Sequence, residues 1–120
     1  MNHHPQKVTF TIVTVSYNCC TLIEKTIESV LQQDCCDKEY IVIDGGSTDG
    51  TTEIIKKYEQ YLTFWCSEPD GGIYQGMNKG LSHAQGQWIL FLNAGDIFSN
   101  KNVLTNVLPF TENKKDDILY

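Results

Sequence analysis

The sequence predicts an α/β fold in three layers, α/β/α, with helices on both faces of a mainly parallel sheet. Two observations predict it. Apolar stretches of strand length alternate with stretches of helical periodicity from residue 8 onward. The strand-like stretches are also apolar without clean alternation, as in sheets covered on both faces. A third observation places a site: acids and glycines gather in the segments that directly follow those strands.

Residues 8–15 (V-T-F-T-I-V-T-V) are β-branched and apolar, and the turn residues Ser16, Tyr17 and Asn18 follow, so they read as a buried strand. Thr21-Leu22-Ile23-Glu24 fits a capping box opening a helix whose Ile23, Ile27, Val30 and Leu31 share a face. A second strand, residues 40–43, ends at Asp44 and runs into Gly45-Gly46-Ser47-Thr48-Asp49-Gly50. The next helix carries Glu53 near its start and Ile54, Tyr58 and Tyr61 on one face. A short third strand, residues 62–66, is broken by Ser67-Glu68-Pro69-Asp70-Gly71-Gly72. Asp70 is placed to cap a helix in which Ile73, Met77 and Leu81 repeat every four residues. Residues 88–92 (W-I-L-F-L) form the most hydrophobic strand and stop at Asn93-Ala94-Gly95-Asp96. Val103, Val107 and Leu108 suggest a short helix, and residues 117–120 begin another strand.

At 120 residues the chain is at most one domain, read as a flexible terminus over 1–7 and a domain over 8–120. Hydrophobic (41%) and charged (20%) shares exclude disorder and coiled coil. A net charge of −6 argues against nucleic acid or an anionic membrane surface as the main partner. It leaves room for a phosphate-bearing small molecule held by backbone N–H groups or a metal ion. No stretch has the length of a membrane span and no signal peptide is visible. The five cysteines, Cys19-Cys20, Cys35-Cys36 and Cys66, lack C-x-x-C spacing, which points to free thiols in the cytosol.

In open parallel sheets ligands bind beyond the carboxyl ends of the strands. That rule gathers Ser16-Tyr17-Asn18, Asp44 with its glycine loop, Glu68 with Asp70, and Asn93 with Asp96. Each loop alone is also a reasonable turn or cap, and their coincidence at one edge is the signal. The glycine loop has neither dinucleotide G-x-G-x-x-G spacing nor a P-loop ending. His3 and His4 fall in the terminus, and His83 reads as a surface residue. A receiver-type signalling module would need acids after the first strand, where Ser16-Tyr17-Asn18 has none. A non-catalytic nucleotide-binding domain is the other alternative.

Taken in order, V-T-V-S-Y-N at 13–18, V-I-D-G-G-S-T-D-G-T at 42–51, S-E-P-D-G-G-I-Y-Q-G-M-N-K-G at 67–80 and W-I-L-F-L-N-A-G-D at 88–96 resemble the successive motifs of family 2 glycosyltransferases. That resemblance implies a GT-A fold and transfer of a sugar, with inversion, from a nucleoside-diphosphate donor to an acceptor hydroxyl. It implies Asp96 as ligand of Mg²⁺ or Mn²⁺, because Asp96 matches the last acid of the D-x-D motif. It places Val15, Ser16, Tyr17, Asn18, Asp44, Gly46, Ser47, Asp70, Asn93 and Ala94 around the donor. Lys79 either brings positive charge to the phosphates or is a solvated helix residue.

Relatives often carry acids where this chain has Gly45 and Gly95, so fewer carboxylates are available for the base and the metal. The E-P-D-G-G-I-Y stretch resembles a subgroup of bacterial surface polysaccharide assembly. The expected partners are a nucleotide sugar and a carbohydrate or lipid-linked acceptor, without nucleic acid or a transmembrane segment. The expected place is the cytoplasm, at or near the inner face of the membrane. The catalytic base of such enzymes is expected beyond residue 120. The chain therefore reads as a donor-binding half, weakly active or inactive alone and prone to pair through an exposed sheet edge.

Overall fold

The computed structural model of the chain describes residues 9–34, 38–111 and 118–119, with side chains described as far as residue 107. The expectations for His3, His4, Cys35 and Cys36, and for a flexible terminus, lie outside these residues. Ten elements follow in order: β1 (Phe10–Ser16), α1 (Ile23–Leu31), β2 (Lys38–Asp44), α2 (Thr51–Lys57), a 3-10 turn (Glu59–Tyr61), β3 (Phe64–Ser67), α3 (Ile73–His83), β4 (Trp88–Phe91), α4 (Val103–Thr111) and β5 (Ile118–Leu119). The strands form one sheet in the order β3-β2-β1-β4-β5. Every pairing among the described residues is parallel. The strand order reverses beside β1, the switch point at which an open α/β sheet leaves a crevice.

The absence of clean alternation in β1 and β2 is explained by two buried faces. Phe10, Ile12, Tyr40 and Val42 point to one side, where Ile23, Ile27 and Val30 of α1 and Ile55 of α2 cover them together with Leu104 of α4. Val13, Val15, Ile41 and Ile43 point to the other side, packed by Met77 of α3 and by Phe64, Ile89 and Phe91. Polar groups on these strands are paired inside the protein. Thr11 Oγ1 donates to Glu39 at 2.7 Å, and the Thr14 and Tyr40 hydroxyls meet at 2.7 Å. Burial pushes the Tyr40 phenol well above its ordinary pKa.

Three local expectations are corrected. The capping box at Thr21 is absent: helix α1 starts after Leu22 with no side-chain cap. The Cys19 carbonyl takes the N–H groups of Leu22 and Ile23 instead. Glu24 turns away to accept from Tyr58 and Lys57 of the neighbouring helix. Tyr61 does not extend the α2 face. That helix stops at Lys57, and Tyr61 is left 57% exposed at the end of the 3-10 turn. In α3, Ile73 is exposed and the residues buried against the sheet are Gly76 and Gly80. A Cβ at Gly80 would lie 2.4 Å from Val13 Cγ1, so the helix rests on β1 closer than any side chain allows.

Candidate functional site

Parallel register sets Ser16, Asp44 and Ser67 side by side at the carboxyl ends of β1, β2 and β3. Asp44 is fully buried there. It accepts from the hydroxyls of Ser16 (2.7 Å), Ser47 (2.6 Å) and Ser67 (2.8 Å) and from the N–H groups of Gly46 (3.1 Å) and Ser47 (2.8 Å). Burial by itself would raise the Asp44 pKa; the hydrogen bonds, led by Ser47 and Ser16, outweigh it and hold the carboxyl below its ordinary value. The acid after the second strand is thus a bracket joining three strand ends and the glycine loop.

A second set of bonds ties the loop after β1 to the loop after β2. Asn18, in the left-handed region at φ 49°, accepts from Thr48 N–H at 2.9 Å, and its own N–H donates to Ser47 Oγ at 2.7 Å. Cys19 N–H donates to Thr51 Oγ1 and Cys20 N–H to Asp49. Thr51, which also donates to Asp49, holds that carboxyl down at a pKa of about 2. Asn18, Asp44 and Ser47 are therefore engaged with the protein itself. Gly46 adopts φ 89°, and a Cβ there would lie 3.0 Å from the Pro69 nitrogen, so it spaces two loops.

Between these loops a cleft of about 540 Å³ opens at the carboxyl edge of the sheet. Val15, Ser16, Tyr17 and Cys19 line it from the β1 side, and Gly45 forms part of its wall. Pro69, Asp70, Gly72 and Ile73 line it from the β3–α3 connection. Asn93 and Ala94 close it after β4, where Ala94 N–H donates to the Val15 carbonyl at 3.1 Å. Tyr17 is 60% exposed, a free aromatic face at the mouth. Asp70 uses one oxygen, Oδ1, to accept from Gly72 N–H at 3.1 Å. Its Oδ2 and the Asn93 side-chain oxygen are buried and have no partner. The fold uses neither atom, and both belong to cleft residues.

Six of the expected donor residues therefore meet at the cleft: Val15, Ser16, Tyr17, Asp70, Asn93 and Ala94. Asn18, Asp44, Gly46 and Ser47 are not among the residues that line it. Lys79 is not at the cleft lining; its ammonium sits 2.7 Å from Glu68, which raises the lysine pKa and lowers that of the acid. Asp96 is exposed in the turn after β4, its N–H donating to the Asn93 carbonyl at 2.9 Å. Gly95 before it has φ 102°, a conformation that disfavours a residue with a side chain. Among the described residues no group of three or more His, Cys, Asp or Glu side chains is placed to hold a metal ion. Sequence reading missed Cys19, Gly45 and Ile73 as cleft residues and Ser67 and Thr51 as supports. The strand-edge rule identified their segments, but which side chain turns inward depends on register.

Comparison with known proteins bears on the fold and the family. Residues 11–120 match the sequence profile of glycosyl transferase family 2. An uncharacterized glycosyltransferase of Mycobacterium tuberculosis is 36% identical over 107 residues, covering 88% of this chain and 41% of the relative. A PGL/p-HBAD biosynthesis glycosyltransferase of Mycobacterium bovis is 32% identical over 115 residues, covering 92% of this chain and 45% of the relative. This chain thus spans less than half of either protein. The crystal structure of residues 1–349 of S. aureus TarS in complex with UDP-GlcNAc is similar with a TM-score of 0.78 and 28% identity, over 88% of this chain and 31% of that one. The α/β sheet is that of GT-A glycosyltransferases, and the chain belongs to glycosyl transferase family 2.

Proposed function

We propose that the chain is the donor-binding half of an inverting glycosyltransferase. It takes a nucleoside-diphosphate sugar whose sugar passes to an acceptor hydroxyl in assembly of a bacterial surface polysaccharide. The observation that carries this reading is the cleft itself: it lies at the switch point and holds two buried side-chain oxygens that the fold leaves without partners. A nucleotide sugar supplies the N–H and O–H donors that such oxygens lack. Support comes from the S. aureus TarS structure, which has this fold and holds UDP-GlcNAc.

The residues present fit a divalent cation on one condition. Asp96 offers one carboxylate and Asn93 one unpartnered amide oxygen, both hard donors. A magnesium-type site completed by donor phosphates and water needs no more from the protein. When bound, the cation neutralises charge that develops on the departing diphosphate. The chain's own residues do the positioning. Tyr17 presents a ring face for the base, and the Asn93-Ala94 backbone is pinned to β1, so the donor meets a preformed wall. The acceptor is a carbohydrate or lipid-linked hydroxyl, met in the cytoplasm at the inner face of the membrane. No described helix is long and apolar enough to cross a membrane.

The test is thermal unfolding of the chain with UDP or GDP, with and without Mn²⁺. Nucleotide should raise the melting temperature, Mn²⁺ should add to the rise, and Asp96→Ala should remove only the added part. An unchanged melting temperature with every nucleoside diphosphate at millimolar concentration would overturn the reading.

A further inference from the structure

We infer that Thr26 is the positioning residue for the turn that carries Asn93 and Asp96: its buried hydroxyl holds the Gly95 N–H and so sets two oxygen donors for a divalent cation. This rests on the reading of Asn93 and Asp96 as cation ligands given above. Thr26 is fully buried and shares the inner face of α1 with Ile23, Ile27 and Val30. A hydroxyl among such neighbours is costly unless it is hydrogen-bonded. It donates to the Leu22 carbonyl at 3.4 Å within its own helix. It accepts from Gly95 N–H at 2.9 Å, 69 residues along the chain.

Three successive N–H groups fix the turn. Ala94 donates to the Val15 carbonyl at 3.1 Å, Gly95 to Thr26, and Asp96 to the Asn93 carbonyl at 2.9 Å. Backbone carbonyls hold the first and third, and only the second depends on a side chain. Gly95 is also the bend itself, at φ 102°. The side-chain oxygens of the same turn are disposed differently: Asn93 Oδ1 is buried without a partner, and Asp96 is exposed. Ligands on a turn whose backbone is already tied lose little freedom on binding, which is how supporting bonds raise the affinity of metal ligands.

Thr26 is the first of a series. Ser29, one turn further along α1, accepts from Phe98 N–H at 3.3 Å. Gln33, just past the end of the helix, donates to the Asn100 carbonyl at 2.6 Å and accepts from Leu104 N–H at 3.0 Å. The connection from β4 to α4 is thus laid along α1 by polar side chains. Ser29 and Gln33 hold its later part, and Thr26 is the member of the series that reaches the turn itself.

The experiment is calorimetric titration of Mn²⁺ into the chain saturated with UDP or GDP, whichever raises its melting temperature. Thr26→Val, Thr26→Ser and Asp96→Ala are compared with the unmodified chain. Thr26→Val should weaken Mn²⁺ binding about tenfold, with far less effect on nucleotide titrated without metal. Thr26→Ser keeps the hydroxyl and should restore the affinity. Unchanged Mn²⁺ affinity in folded Thr26→Val would overturn the inference, as would a Thr26→Ser variant no better than valine. Amide exchange tests the unmodified chain, so the result does not depend on a variant folding. Without metal, Gly95 N–H should exchange at least about tenfold more slowly than in a free peptide, and an unprotected Gly95 sinks the inference. If Asp96→Ala leaves Mn²⁺ binding unchanged, the cation reading fails and the inference with it. If Asp96→Ala abolishes that binding and Thr26→Val does not weaken it, only the role of Thr26 fails.

Discussion

At Asp44, burial and hydrogen bonding act on one carboxyl in opposite directions, and the hydrogen bonds prevail. Replacing it by asparagine keeps the size but sets an amino group against hydroxyls and N–H groups that now donate to Oδ2. The expected cost is about 1–3 kcal/mol, read from the urea midpoint at neutral pH. The sign of the pH dependence follows from the depressed pKa values of Asp44 and Asp49. Their contribution is complete above the unfolded aspartate value of roughly 3.9 and is lost as pH falls through the folded values. For Asp49 that loss extends down to about 2. Stability should therefore decline below roughly pH 4, and Asp49→Asn should flatten the slope in acid titrations followed by circular dichroism. Position after a strand identified Asp44 from sequence as a special residue. Its bracket role was not legible, because Ser16 and Ser67 come from strands 28 and 23 residues away.

At the scale of elements, α3 shows packing overriding propensity. Gly76 and Gly80 weaken an isolated helix by up to about 1 kcal/mol each relative to alanine. Alanine at position 80 would drive its Cβ to 2.4 Å from Val13 Cγ1, and overpacking of this kind costs about 1–3 kcal/mol. Gly80→Ala should thus lower the melting temperature even though it is the better helix former. A rise would show that α3 can lift from the sheet at no cost. The four-residue spacing of Ile73, Met77 and Leu81 announced the helix correctly but not its buried face, because glycines carry no hydrophobic signal. Elsewhere, helices α1 and α2 are clamped by Tyr58, whose hydroxyl donates to Glu24 and Glu28. Tyr58→Phe should cost roughly 1 kcal/mol in denaturant unfolding. The strands were read with small shifts at their ends, and the crossover helices between them follow from parallel pairing.

For the whole molecule, the cleft couples stability to ligand. Anything that binds the folded chain alone stabilises it, by about 2.7 kcal/mol at a hundred times its dissociation constant. A nucleoside diphosphate near that concentration should shift the entire unfolding curve, not only signals from Tyr17. Exposed Tyr17, Leu22, Ile73, Tyr74 and Ile97 leave apolar surface on the chain. The curated relatives are more than twice as long as the part this chain matches. Sedimentation over a range of concentrations would reveal self-association through these side chains, and serine at Tyr74 should reduce it.

The sequence alone determined the order of strands and helices, the parallel character of the sheet and the family, because each is written in local patterns: β-branched runs, helical spacing and four motifs in series. It also marked the edge where ligands bind, since acids and glycines after apolar strands are visible without a structure. Tertiary structure decided which marked residues face the cleft and which hold the loops behind it. Asp44 is buried and Asn18 is bonded to the glycine loop, while Asp70 and Asn93 each keep an unpartnered oxygen. That division depends on register and on loops meeting across 29 or more residues, as Asn18 meets Ser47 and Thr48. Hydrogen-bond partners so distant in the chain leave no periodic trace in it.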